Sequence, residues 1–133
     1  MRLWHQKLIP HLPRQQLLGQ HRECCALRGA GWGRNHSVVN YVFTHSTACL
    51  LAYHVLIMEE MKNRGYKPDE KWYRDSYRGL KLGDEYGWAY ADLAEDYLEN
   101  AKNGYMIYPE HNDEYLQECL DNLKGKGICI DLN

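Results

Sequence analysis

The chain has 133 residues, 44% hydrophobic and 26% charged, with a net charge of −2; that is one domain's worth of sequence, neither disordered nor fibrous in composition. No apolar run reaches membrane-spanning length, the longest being residues 48–58, and the opening MRLWHQKLIPHLPR lacks the continuous apolar stretch of a secretory signal, so a cytoplasmic protein without membrane contact is expected. Five cysteines, two of them adjacent at Cys24 and Cys25, make an odd number and no disulfide framework, so reduced thiols are expected.

The first eleven residues read as irregular, and Pro13 is placed to open a helix. Over residues 14–28 the spacing predicts that helix, with Leu17, Leu18, Cys24 and Cys25 on one side and Gln16, Gly19, Gln20, Glu23 and Ala26 on the other. His21, between the apolar residues, reads as a hydrogen-bonded core histidine. His21 with Cys24 and Cys25 is the nearest approach to a metal pattern, but it has no second ligand pair at zinc-finger spacing, and no metal site is expected. Gly19 costs a helix about 1 kcal/mol against alanine, a cost explained if a ligand or a second backbone approaches there.

Residues 29–34 (GAGWGR) break the helix. Their Trp32 and Arg34 either offer a ring to a base and a charge to a phosphate, or belong to a tight turn with Trp32 folded into the core. Residues 38–43 read as a short strand or a buried loop. Ser46 caps the next helix, over 47–64, which Gly65 and Pro68 end. Residues 69–79 read as an aromatic turn or short helix, and 83–100 as an acidic, aromatic segment helical in its second part. A last helix follows Pro109 and Asn112, with Tyr115, Leu116, Cys119, Leu120 and Leu123 on one side and Gly125 at its end. The expected fold is mainly α: a single compact domain over residues 1–133, about four helices, with an irregular N-terminal segment reaching the active site, and a monomer is favoured.

Charge is divided unevenly along this chain. Residues 1–80 carry twelve Lys/Arg against six Asp/Glu, and residues 81–133 carry four against twelve. The basic half also holds Trp4, Trp32 and Trp72, the mixture of cations and flat rings that a polyanion-binding face requires. Two halves neutralising each other across an interface would account for the same asymmetry. Within the basic half Glu23 is the only carboxylate before Glu59. Paired-carboxylate hydrolysis lacks its second acid there, and no G-x-S-x-G elbow is present. Amine chemistry remains, in which a neutral amine attacks an electrophilic sugar carbon and a carboxylate handles the proton. An N-terminal α-amine suits that role, since it holds its proton less tightly than a lysine does, and Arg2 beside it weakens that hold further.

Arg2, the spacing Leu12-x-x-Gln15-x-Leu17 and the pair Arg22-Glu23 on the same helix resemble the endonuclease V family of pyrimidine dimer DNA glycosylases with AP-lyase activity. The helix ending in residues 59–66 (EEMKNRGY) adds a weaker likeness. Together they cover a family-like core of about residues 1–68, followed by a divergent acidic and aromatic part over about 80–133. The resemblance implies a DNA repair enzyme that cuts double-stranded DNA at a damaged pyrimidine or an abasic site, without cofactor or metal. The α-amine of Met1 would form an imine with the sugar and Glu23 would act as acid and base. Arg2 and Arg22 would hold phosphates. Arg28 stands in for an arginine expected at position 26, where this chain has Ala26, and Arg34 extends the same face. Trp32 would be a stacking ring or wedge. Binding to DNA would associate a cytoplasmic protein with the nucleoid. A non-catalytic nucleic-acid-binding module using the same basic face, and a helical self-association protein, are the other readings these residues allow.

Overall fold

The computed structural model describes residues 2–132. Four α-helices carry the fold: α1 Arg14–Arg28, α2 Thr47–Asn63, α3 Ala91–Lys102 and α4 Asp113–Gly125, with short 3-10 helices at Gln6–His11, Asn40–Thr44 and Glu70–Tyr73. No helix among the described residues is long and apolar enough to cross a membrane. The mainly helical single domain expected from periodicity is what the chain forms.

Each helix begins and ends where local chemistry dictates. The Pro13 carbonyl accepts the Leu17 amide at 3.0 Å, so a residue without its own N–H opens α1 where none is needed. At the other end the chain folds back sharply, with the Gly31 N–H on Ala26 O at 2.9 Å. A Cβ on Gly31 would lie 2.6 Å from that same oxygen, so the turn requires glycine. In α2 the Ser46 hydroxyl accepts the Ala48 amide at 3.1 Å, and Gly65 at φ +87° closes the helix. The Asn112 side chain caps α4 through the Tyr115 amide at 2.9 Å.

At the centre, α2 buries Cys49, Leu50, Ala52, Tyr53, His54, Ile57 and Met58, packing on α1, α3 and the first 3-10 helix. An element covered on nearly all sides shows little amphipathic contrast, which is why its pattern reads as broadly apolar. Residues 38–43 are not a strand: a turn with Val39 buried leads into the 3-10 helix Asn40–Thr44. Val39 and Val42 are both buried, and the Val42 amide bonds Val39 O at 2.9 Å, the i to i+3 step of a 3-10 helix. The acidic segment turns helical only at Ala91. Before it, residues 74–90 form a tight turn in which Tyr77 bridges Asp84 and the Arg78 amide bonds Gly83 O at 2.8 Å.

Three histidines are interior: His5, His54 and His111. Burial holds each below its ordinary pKa of 6.5, His111 at about 3 and His54 well below its usual value. The unfolded chain takes up these protons as pH falls through 6.5 whereas the folded chain resists, so the stability present above that pH is lost progressively toward pH 3. We expect Tm to fall between pH 7 and pH 5, by up to about 1.4 kcal/mol per pH unit for each histidine, with a flatter profile in His111→Gln. An unchanged Tm over that range would show that these rings are not held neutral.

Candidate active site

Residues 2–5 carry no regular secondary structure, so their backbone polar groups need partners from elsewhere. They find them by threading between three helices. The Arg2 N–H donates to Glu23 Oε2 at 3.1 Å and the Arg2 carbonyl accepts from Gln20 Nε2 at 2.8 Å, both on α1. The Trp4 N–H donates to Gln20 Oε1 at 2.6 Å, the Trp4 carbonyl accepts from Tyr53 of α2 at 2.6 Å, and the Leu3 carbonyl accepts from Tyr115 of α4 at 2.5 Å. The face of α1 carrying Gln20 and Glu23, which periodicity turns away from the helical core, is therefore covered by the N-terminal segment.

Glu23 is half-buried. Burial raises its pKa above the ordinary carboxylate value, opposed by the Arg2 backbone N–H, the Gln20 amide and the Lys126 charge, all of which favour the ionised form. The residue lines a concavity of about 260 Å³ together with Arg2, Trp4, Val38, Asn122 and Lys126. The Arg2 guanidinium lies 5.8 Å and Lys126 Nζ 5.3 Å from the centre of the Trp4 ring, so two cations gather on one indole beside a single acid. That local excess of positive charge suits a phosphate group. Asn122 Oδ1 is buried without a hydrogen-bond partner among the described residues, leaving an acceptor ready for an N–H or O–H group of a ligand. A concavity of similar size, about 280 Å³, is lined by Gln6, Leu56, Glu59, Glu60 and Lys102 among others; its two carboxylates make it a poor host for a polyanion.

The other expected site residues divide. Arg22 is exposed on α1 next to Glu23 in sequence, and Arg34 is exposed on the loop after α1 with its Nε on Ala30 O at 2.8 Å. Met1 lies outside the described residues. Arg28, expected at a phosphate, is instead fully buried. Its guanidinium donates to Trp72 O at 2.5 Å, Arg74 O at 2.8 Å, Tyr77 O at 2.9 Å and His54 Nδ1 at 3.0 Å. It is a strut between α1 and residues 72–77, with no free face for DNA. Trp32, expected as a stacking ring or wedge, packs edge-on against Phe43 at 5.1 Å and Trp88 at 5.6 Å. The turn closed at Gly31 folds it back onto the core.

Gln20, Asn122 and Lys126 escape a reading of the sequence as site residues, and Trp4 is legible there only as one ring of the basic half. Gln20 has the composition of an ordinary exposed helix residue, and Asn122 and Lys126 come from α4 and its end, a hundred residues beyond Glu23. One signal does point to Lys126: it and Lys124 are the only Lys/Arg after Lys102.

His21, Cys25 and His54 gather donor atoms within 4.8 Å of one another, a spacing compatible with a metal ion. The proton inventory argues otherwise. Arg28 can only donate, so His54 Nδ1 is the acceptor and Nε2 carries the hydrogen, directed at His21 Nδ1 2.8 Å away. Ligation through Nε2 would put a second N–H against the guanidinium, the reverse of the acceptor that usually backs a metal-bound histidine. The cluster is a hydrogen-bonded relay ending at Cys25, whose thiol burial pushes up to about 12.

Residues 1–74 match the family model described as pyrimidine dimer DNA glycosylase. No curated protein and no solved structure matches the chain.

Proposed function

The chain belongs to the pyrimidine dimer DNA glycosylase family, and from that premise we propose that it is a DNA repair glycosylase and AP lyase acting through its N-terminal α-amine and Glu23. The substrate is double-stranded DNA carrying a damaged pyrimidine or an abasic site. The single observation that carries the reading is the Arg2 N–H to Glu23 Oε2 hydrogen bond at 3.1 Å, beside a concavity that also holds Arg2 and Lys126. Only three bonds separate the α-amine nitrogen from the Arg2 amide nitrogen, so covalent geometry alone tethers the two within about 4 Å. The nucleophile is thereby kept in the neighbourhood of the carboxylate.

In the proposed reaction the neutral α-amine attacks C1′. The N–C1′ bond forms as the glycosidic bond breaks, and the base leaves with a proton. Protonation of O4′ by solvent opens the sugar ring and leaves an iminium. Glu23 then removes a hydrogen from C2′, the C3′–O bond breaks and the 3′ phosphate departs, after which water hydrolyses the imine. Glu23 Oε2 is occupied by the Arg2 and Gln20 donors, which leaves Oε1 as the oxygen to take that hydrogen. Because burial raises the Glu23 pKa, its basic form is lost at a higher pH than that of an ordinary exposed glutamate, and the acid limb of the rate profile is displaced in the same direction. Arg2 and Lys126 would hold phosphates at the concavity, with Arg22 and Arg34 along the approaching strand.

Borohydride reduction of the enzyme on abasic-site DNA tests the reading. We expect a covalent adduct whose peptide map ends at Met1, lost on acetylation of the amine or with an N-terminal tag. An adduct that survives both treatments would assign the imine to a side chain. For the basic face, Arg22→Ala is expected to weaken DNA binding similarly across sequences and to lower the slope of log affinity against log salt by about one. An unchanged slope would remove Arg22 from the phosphate contacts.

A further inference from the structure

We propose that Gln20 and Tyr53 form a clamp that positions residues 2–4 against Glu23, a role that rests on the lyase reading above. Gln20 is 1% exposed and Tyr53 is fully buried, so their polar groups serve the interior alone. Every hydrogen-bonding direction of the Gln20 amide is used. Nε2 donates to Arg2 O at 2.8 Å and Glu23 Oε2 at 3.0 Å, while Oε1 accepts the Trp4 N–H at 2.6 Å and faces the Tyr53 hydroxyl at 2.9 Å. The orientation of the amide is forced, because Arg2 O and a Glu23 carboxylate can only accept and the Trp4 amide can only donate. The single proton of Tyr53 faces both Gln20 Oε1 and Trp4 O, the latter at 2.6 Å.

These contacts do what a neighbouring strand would do for an extended segment. They hold residues 2 and 4 by their backbone groups, so the grip is independent of side-chain identity at those positions. The same amide also touches the carboxylate, so the tether of the α-amine and the acid/base group are registered by one side chain. Few residues meet the requirement at position 20. It must supply two donors and an acceptor at this length without a charge beside Glu23, which excludes glutamate as a like-charged neighbour and asparagine as one methylene short.

Gln20→Met and Tyr53→Phe preserve shape and remove the clamp in two steps. On abasic-site duplex under single-turnover conditions, Gln20→Met should cleave at least about tenfold more slowly, because a misplaced reacting group is costly even when nothing else changes. Its affinity for a duplex carrying a tetrahydrofuran abasic analogue should fall far less than its cleavage rate, since Lys126, Arg22 and Arg34 are untouched and only Arg2 loses an anchor. Its acid limb should move to higher pH, because a hydrogen bond favouring the Glu23 carboxylate is lost. Tyr53→Phe should slow cleavage about threefold or more with its acid limb unmoved, because Tyr53 does not touch Glu23. A merely structural role would not separate the two limbs. Wild-type cleavage rate and acid limb in a folded Gln20→Met overturn the clamp, and if that variant does not fold, an unimpaired Tyr53→Phe overturns it. Wild-type protein that forms no borohydride adduct would instead sink the lyase reading itself, whereas an adduct in the wild type with undiminished variants removes only the clamp.

Discussion

Glu23→Gln is expected to lower strand cleavage at an abasic site by about 10²- to 10⁴-fold, the usual worth of a positioned acid/base group, while DNA affinity stays near that of the wild type. Glutamine keeps the size of the side chain and can still accept the Arg2 N–H through its amide oxygen, so the N-terminal segment stays in register. A neutral amide is also cheaper to hold half-buried than a carboxylate whose burial already raises its pKa, and the fold should lose little or no stability. What disappears is the oxygen that accepts the 2′-hydrogen. Nicking gels and borohydride trapping, run side by side, separate the steps: an imine that still accumulates while nicking collapses would place Glu23 at elimination, and nicking at the wild-type rate would remove it from the mechanism.

Arg28→Met is expected to destabilise the fold by about 3–5 kcal/mol, because four buried acceptors lose their donor at about 1–3 kcal/mol each, offset in part by no longer burying a charge. That corresponds to a fall in Tm of about 10–20 °C for a chain of this size. Three carbonyls, those of Trp72, Arg74 and Tyr77, and His54 Nδ1 would lose their donor in a dry interior. Arg28→Lys should be nearly as damaging, because an ammonium cannot span the acceptors that the planar guanidinium reaches at once. Thermal melts measure both. A lysine variant of wild-type Tm that binds DNA more weakly, with a shallower salt slope, would return Arg28 to the phosphate face.

The contrast between these two residues shows what a sequence can carry. Glu23 was conspicuous because it stands alone: one carboxylate in a basic stretch is a chemical anomaly visible without coordinates. Arg28 looked like a continuation of the same basic face, and only its burial distinguishes it from Arg22. Charge is read from composition, whereas the solvent exposure that decides what a charge does depends on what folds over it. The aromatic loop behaves the same way. GAGWGR announced a turn through its glycines, but the direction of Trp32 follows from the bond between Gly31 and Ala26, which brings the ring against Phe43 and Trp88.

By itself the sequence determined the helices, since their caps, stops and apolar spacings are local, and it singled out Glu23 and the basic N-terminal half. Tertiary structure alone decided which groups meet. Residues 2–4, without regular structure of their own, lie across the face of α1 that periodicity leaves open; Gln20 becomes buried by that crossing, and Asn122 and Lys126 reach Glu23 from the far end of the chain. Helical periodicity reports which side of an element avoids water, but not which distant segment covers the remainder, because that contact is a property of two surfaces and is written in neither one alone.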